Sequence, residues 1–340
     1  MKNTFTTPAD FWKERDFGAK ISATFEFIGA HWRPLGKCLV YFVLPFALLM
    51  GIGLGFFTNS MFDQMGSAMA TKQSGWHSTV GTRSTSPLGA VSFGGMALGF
   101  VGGLLAFLVL TGTVFGYLRA RLHLPANQPV TPAAVGAELK ARMGRMLLVI
   151  VLVGAGYMVV GFGAMMLVGV LAGIGNSAAG AVLGVPLVMA LIVYLAVVLS
   201  LFFPVLWLED NSVAGTLGRC FQLIKGRWWA TFGLLIVVAI IQSALSVVFI
   251  LPQYGVMFGK MLHVLGLNSD LLGVLAQCIY AVGIIFTYTI SLLTVSFQYF
   301  NLAEQKEGVG LRLLVHELGQ PQAVPTAQSS HYQPDEEGEY

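Results

Sequence analysis

The sequence predicts an all-α integral membrane protein: a six-helix bundle made of three units, each an interfacial amphipathic helix followed by a transmembrane hairpin. Three observations carry that expectation. The first is composition, since 56% of the 340 residues are hydrophobic and only 10% are charged, against roughly a quarter charged in soluble domains. So few charges cannot keep so apolar a surface dissolved. The second is a set of six predominantly apolar runs, each long enough to cross about 30 Å of hydrocarbon at about 1.5 Å per residue. The third is a lopsided placement of Lys and Arg between those runs.

The elements follow in chain order. Met1 to Arg15 contains Asp10 and Glu14 and no apolar run, so it does not read as a cleavable signal peptide, and the first span acts as its own insertion signal. Residues 17–32 carry Phe17, Ile21, Phe25, Ile28 and Trp32 at spacings of 4, 4, 3 and 4, the period of an amphipathic helix. The first span covers 39–57. Thr58 to Ser92 is rich in Ser, Thr and Gly, holds Trp76, His77 and Arg83, and reads as a flexible polar connector. The second span is 93–117.

A third stripe, Val135, Leu139, Met143, Met146 and Ile150, places an interfacial helix over 133–145 that runs directly into a span at 146–172. An uncharged turn, Gly173 to Gly180, leads to the fourth span at 181–208. Residues 212–229 form another interfacial helix, and the fifth and sixth spans cover 231–251 and 271–300. Pro45, Pro186 and Pro204 fall inside spans and should kink them. Leu311, Leu314, Val315 and Leu318 suggest a short amphipathic helix over 306–318. The remaining 319–340 is Gln/Pro/Ser-rich, ends in Asp335, Glu336, Glu337 and Glu339, and is expected to be disordered. A strand barrel would show alternating segments of about ten residues, which these continuous runs do not.

Charge placement orients the chain. Lys2, Lys13, Arg15, Lys20, Arg33 and Lys37, then Arg119, Arg121, Lys140, Arg142 and Arg145, then Arg219, Lys225 and Arg227, and finally Lys306 and Arg312 fall on one side. Those are sixteen of the nineteen basic residues, and only Lys72, Arg83 and Lys260 fall on the other. The positive-inside rule makes the basic side cytoplasmic. Both termini are then cytoplasmic, as an even number of spans also requires. The pI of 8.7 and net charge of +3 read as topology and attraction to anionic headgroups, with no nucleic acid required.

The strongest organisational signal is an internal repeat. Val213, Leu217, Phe221, Ile224 and Trp228 repeat the first stripe at a constant offset of 196, and the strings TFEFIGAHW and CFQLIKGRW align without a gap. Such helices would lie in the inner headgroup layer with the stripe toward acyl chains and the basic side toward phosphates. Trp32, Arg33, Lys225, Arg227, Trp228 and Trp229 are the expected lipid-interface residues. The string GRCFQLIKGRWWATFGLLIVVAIIQ from Gly218 to Gln242, with RDFGAKISATFEFIGAHW from Arg15 to Trp32, resembles a large bacterial group of uncharacterised polytopic proteins. That group is similar to the membrane domain attached to some glycerophosphodiester phosphodiesterases. The resemblance implies a six-helix membrane domain over about residues 15 to 305 and no activity. Nothing beyond Phe300 is long enough to form the phosphodiesterase barrel, so its chemistry does not carry over.

Chemistry-bearing motifs are sparse. Intramembrane ionisable residues mark pumps and relays, yet here Glu209, Asp210 and Asp270 stand only at span ends, where they read as boundary or capping groups. Neutral polar residues remain: Thr287, Ser291, Thr294 and Gln298 share a face of the sixth span, and Gln242, Ser243 and Ser246 lie on the fifth. They read either as a polar pathway or, more simply, as interhelical hydrogen bonds. Gly95, Gly99 and Gly103 form a double GxxxG, followed by Gly112 and Gly116, with single copies at Gly51/Gly55 and Gly169/Gly173. Small residues four apart allow close helix packing within the bundle or between copies in a homo-oligomer.

Cys38, Cys220 and Cys278 lack any CxxC spacing and read as small apolar core residues. His31, His77, His123, His263, His316 and His331 show no metal-ligand spacing, so neither metal nor cofactor is expected. The expected role is a non-enzymatic structural or interaction component of the inner membrane. One rival is a carrier or channel for a small or lipid-like molecule, lined by Gln242, Thr287, Ser291 and Gln298. Another is a lipid-acting enzyme in which Glu209, Asp210, His123 or Asp270 converge.

Overall fold

A computed structural model describes residues 5–73, 87–125, 128–174, 177–261 and 269–319. The acidic tail from 320 onward, the loop residues Trp76, His77 and Arg83, and His263 and His331 lie outside the described residues. What is described is helical, with no strand among these residues. The order is α1 (Pro8–Phe11), α2 (Phe17–Phe42), α3 (Leu44–Gln73), α4 (Pro87–His123), α5 (Pro132–Ile174) and α6 (Ser177–Ser200). It continues with α7 (Phe202–Leu208), α8 (Val213–Ile224), α9 (Trp228–Met261), α10 (Asp270–Glu307) and α11 (Val309–Gly319).

Among the described residues six helices are long and apolar enough to cross a membrane: Leu44–Phe62, Phe93–His123, Pro132–Met166, Gly184–Leu208, Trp228–Lys260 and Asp270–Glu307. The protein is therefore an all-α, multi-pass helical bundle. The helices pack as three hairpins, α3/α4, α5/α6 and α9/α10, with α10 set between α3 and α9.

Several boundaries differ from the expected ones. The helix of the first stripe does not stop at 32 but runs to Phe42, and Pro45 and Pro204 mark breaks between helices instead of kinks within one. Each lies in the first turn of the new helix, where the missing N–H costs no intrahelical bond. Pro186 sits inside α6 as expected, and Pro34 and Pro252 also lie within helices. The long polar loop is shorter than expected, because α3 stays helical to Gln73 and α4 begins at Pro87.

The expected interfacial helix at 133–145 and span at 146–172 are one 43-residue helix. Its stripe residues Val135, Leu139 and Met146 are buried against α4 and the short α7, so this third stripe is core. Interfacial helix 212–229, by contrast, is divided. Its α8 portion is capped by the Ser212 hydroxyl, which accepts from the Gly215 N–H at 3.2 Å, and the chain then turns at Gly226, whose φ of +84° favours glycine. Trp228 and Trp229 therefore open α9.

Glycine governs the closest crossings. A side chain on Gly53 would stand 2.6 Å from the Gly99 Cα, and one on Gly102 the same distance from the Met50 nitrogen. Gly95 sits against the Gly53 carbonyl and Phe57, and Gly103 against the Met50 sulfur. Gly112 and Gly116 face Leu139, Val135 and Trp207. All five expected packing glycines therefore meet partners inside the chain. On the other side of α3, Gly51 faces the Cys278 backbone and Gly55 the Val274 backbone of α10. Gly169 has nothing within 4 Å.

The N-terminal segment is built into the bundle. Phe5 and Phe11 are buried with Phe27 of α2 and Phe297 and Phe300 of α10, their rings 5.4 to 6.4 Å apart at the α10 contacts. Trp12 stands edge-on to Phe300 at 4.8 Å. Arg15 donates its backbone N–H to the Asn301 side chain at 2.8 Å and lies over the Phe297 ring at 5.2 Å. Arg121 donates to the Phe5, Thr6 and Gln128 carbonyls. The α1 and α11 segments meet through Trp12 and Gly310, so both described terminal segments occupy one end of the bundle, here called the basic end.

Candidate functional site: a groove along α2 at the basic end

Helix α2 has two distinct faces. Ala23, Thr24, Phe27, Leu35, Cys38 and Leu39 are buried in the bundle, whereas Phe17, Phe25 and Trp32 of the expected stripe remain exposed. The same division recurs 196 residues later. Thr216, Cys220 and Leu223 are buried, matching Lys20, Thr24 and Phe27, while Phe221 is 44% exposed, against 43% for Phe25. The two amphipathic helices are therefore repeated in burial as well as in letters. Both dock an inner face that mixes small or polar residues with large apolar ones on the bundle, and both leave an aromatic outer residue uncovered.

A groove of about 940 Å³ runs along α2, at the upper end of the roughly 300–1,000 Å³ typical of small-molecule sites. Phe25, Ile28, Leu39, Val40 and Tyr41 of α2 line it, with Phe286, Thr289 and Ile290 from the middle of α10 and Pro132 at the start of α5. At Gly36, on its α2 wall, a side chain would meet nothing within 4 Å. Trp32, Arg33 and Lys37 complete the lining. Arg33 lies over the Trp32 ring at 5.6 Å. Arg33 and Lys37 are one helical turn apart, are both exposed, and take part in none of the ion pairs within 4 Å among the described residues.

Lys20, Lys140, Arg145, Lys225, Arg227 and Arg312 likewise form none of those ion pairs among the described residues, whereas Arg119, Arg142 and Arg219, between α4, α5 and α8, are ion-paired. Asp210 accepts from Arg119 at 2.7 Å and Arg142 at 2.6 Å, and Glu138 lies 3.6 and 3.5 Å from the same two arginines. Partial burial opposes the Asp210 charge, but the two guanidinium groups outweigh it and hold its carboxyl below the usual carboxylate range. Glu209 accepts from Arg219 at 3.0 Å and from the Tyr299 hydroxyl at 2.9 Å, and Arg219 also pairs with Glu307. Glu304 accepts the Gly310 and Leu311 N–H groups that open α11.

The remaining expected interface residues are uncovered except for Trp228, which is half-buried. Lys225 and Arg227 are exposed at the Gly226 turn, Trp229 is 77% exposed, and Trp228 stacks between Tyr194 and Phe232 at 5.9 and 5.1 Å. On α11, Leu311, Leu314 and Val315 are all exposed.

The neutral polar residues of the spans come together in pairs. The Ser291 hydroxyl donates to the Gln242 carbonyl oxygen, Ser246 to Thr287 at 3.3 Å, and Gln298 to Thr231 at 2.8 Å. Thr24 of α2 donates to Thr294 at 3.2 Å. Thr287, Thr294 and Gln298 are buried. None of these residues borders the α2 groove, so they join α9 and α2 to α10 in place of lining it.

The acidic residues do not converge. Glu209 and Asp210 are each held by arginines, while Asp270 pairs with Lys260 at 2.6 Å at the opposite end of α10. Among the described residues no three His, Cys, Asp or Glu side chains are grouped to hold a metal. The three cysteines are free thiols.

Sequence reasoning identified Trp32 and Arg33 but missed Lys37, Tyr41 and Phe286. Lys37, one turn beyond Arg33, was the available signal, since i,i+4 cations share a helix face. The α10 wall is a tertiary contact that no local pattern encodes. Comparison with known families, characterised proteins and solved structures finds no match to this chain.

Proposed function

We propose that the protein is a non-enzymatic interaction component of the cell inner membrane, with both termini cytoplasmic, that holds lipid at its basic end. The observation that carries this reading is the uncovered aromatic face of α2, bordered by a large apolar groove and two unpaired cations. Placement of the basic end in the cytoplasm rests on the positive-inside rule. The span interiors supply little for chemistry or ion coupling, as their polar groups are taken up in pairs between helices. The resemblance of Gly218–Gln242 to membrane domains that accompany lipid-related enzymes is in keeping with a supporting role.

The test is purification in native lipid particles followed by identification of what stays bound. A defined lipid or partner protein retained through washing is expected. Turnover of a lipid substrate by the pure protein, or protein-dependent flux across proteoliposomes, would overturn the reading. One observation favours the second reading, a carrier for a lipid-like molecule: the groove reaches Phe286 and Ile290, midway along α10. A carrier predicts that lipid exchange between vesicles depends on residues along that wall.

A further inference from the structure

The geometry points to one occupant for the groove: a single anionic diacyl phospholipid, its acyl chains against the apolar walls of α2 and α10 and its phosphate between Arg33 and Lys37. This rests on the proposed lipid-holding role and specifies its ligand. The groove interior supplies almost no polar group; Thr289 is buried, and its hydroxyl is already spent on the Ile285 carbonyl at 2.9 Å. Whatever fills the groove is therefore apolar along its length. A free phosphate would meet Arg33 and Lys37 alone and leave the apolar length of the groove unfilled.

The rim is the opposite in character. Arg33 and Lys37 stand one turn apart with no carboxylate within 4 Å among the described residues, whereas Arg119, Arg142 and Arg219 at the same end are each engaged by acids. An anionic headgroup supplies the missing countercharge, and a guanidinium can take two phosphate oxygens at once. Trp32, 58% exposed beside Arg33, belongs at the boundary between acyl chain and headgroup. Apolar side chains flank the two cations on both sides along α2, with the indole beside Arg33, so one groove offers matching groups to acyl chains and to a phosphate. At Gly36, between the two cations, a side chain would meet nothing within 4 Å, so the groove is unobstructed there.

The experiment is native mass spectrometry of the intact detergent-solubilised protein, titrated with phosphatidylglycerol or with phosphatidylcholine of identical chains. Each basic residue near the surface adds about a fivefold factor in affinity for an anionic lipid. The wild-type protein should therefore prefer phosphatidylglycerol by at least about tenfold. The double variant Arg33→Gln/Lys37→Gln should lose that preference while binding phosphatidylcholine as before. Gly36→Phe, which puts a ring into the groove from its α2 wall, should weaken both lipids alike, and circular dichroism should report an unchanged helical fold for both variants.

An absent preference in the wild type, or one retained by the double variant, would overturn the assignment. So would phosphatidylglycerol binding unaffected by Gly36→Phe in a folded protein, since the chains would then lie elsewhere. These failures leave the broader lipid-holding role standing if lipid still co-purifies. Enzymatic turnover or flux would remove that role whatever the headgroup preference.

Discussion

Substituting Gly53 by alanine tests whether the α3–α4 crossing is set by glycine alone. The added methyl would lie 2.6 Å from the Gly99 Cα and 2.7 Å from the Leu98 carbonyl carbon, where about 3.5–4.0 Å is comfortable. The obstructing atoms are backbone, so no side chain can rotate away, and the helices must separate by about 1 Å. Overpacking of a core costs about 1–3 kcal/mol, and an unyielding contact belongs at the top of that range. The helix gains about 1 kcal/mol from replacing glycine with alanine, leaving a net loss of about 2 kcal/mol, or roughly 30-fold in the unfolding equilibrium. Gly169→Ala is the control: it has open space within 4 Å and should gain up to about 1 kcal/mol from the same propensity. Reversible unfolding in mixed micelles, followed by circular dichroism, should thus separate the two variants by about 3 kcal/mol. Equal stabilities would refute the reasoning. So would a fully stable Gly53→Ala protein that had lost self-association, because the glycine seam would then join copies of the chain.

Asp210 predicts an acid-sensitive clamp between α4 and α5. Its carboxyl is held below the usual range, so its contribution is full above about pH 4 and is lost as pH falls through the lower folded value; Asp210→Asn should flatten the acid limb of a stability–pH profile, and an unchanged limb would show the clamp to be idle. Gln298→Leu should be close to neutral, within about 1 kcal/mol, because the Thr231 hydroxyl still donates to the Arg227 carbonyl and a buried Gln298 oxygen without a partner is removed. A loss of several kcal/mol on unfolding would contradict that accounting. Burial pushes the Cys38 thiol up to about 11 and the Cys220 thiol up to about 12, so maleimide at neutral pH should label both only after denaturation. Rapid labelling of either in the folded protein would place it at the surface.

The six spans were legible because a membrane demands about twenty apolar residues in a row, a signal written locally. The stripes of α2 and α8 were legible for the same reason: Phe17 to Trp32 and Val213 to Trp228 obey a helical period. The third stripe obeyed it too and still became core, since periodicity finds the apolar face of a helix without saying whether protein or lipid covers it. Pro45 and Pro204 were recognised as disruptions, but whether a proline kinks a helix or begins a new one is decided by the direction of the next packed segment. The pairing of Arg119 and Arg142 with Asp210 spans distant positions, so cations counted for topology proved in part to be internal ties. Phe5, Phe11 and Trp12 carried too short a pattern to announce a buried segment, and their partners on α10 lie almost three hundred residues away.

That last separation has a consequence for assembly in time. Arg15 bonds to Asn301 across 286 residues, and Phe5 and Phe11 rest on rings of α10, made after the other five described spans. At about 5–20 residues per second, the first segment waits roughly a quarter of a minute to a minute before its seat exists. Until then its aromatic side chains have no native partner on α10. Release of a chain halted before Asp270 would leave that segment free for proteases and chaperones, making closure of the N-terminus over α10 the step at which a newly made copy becomes complete.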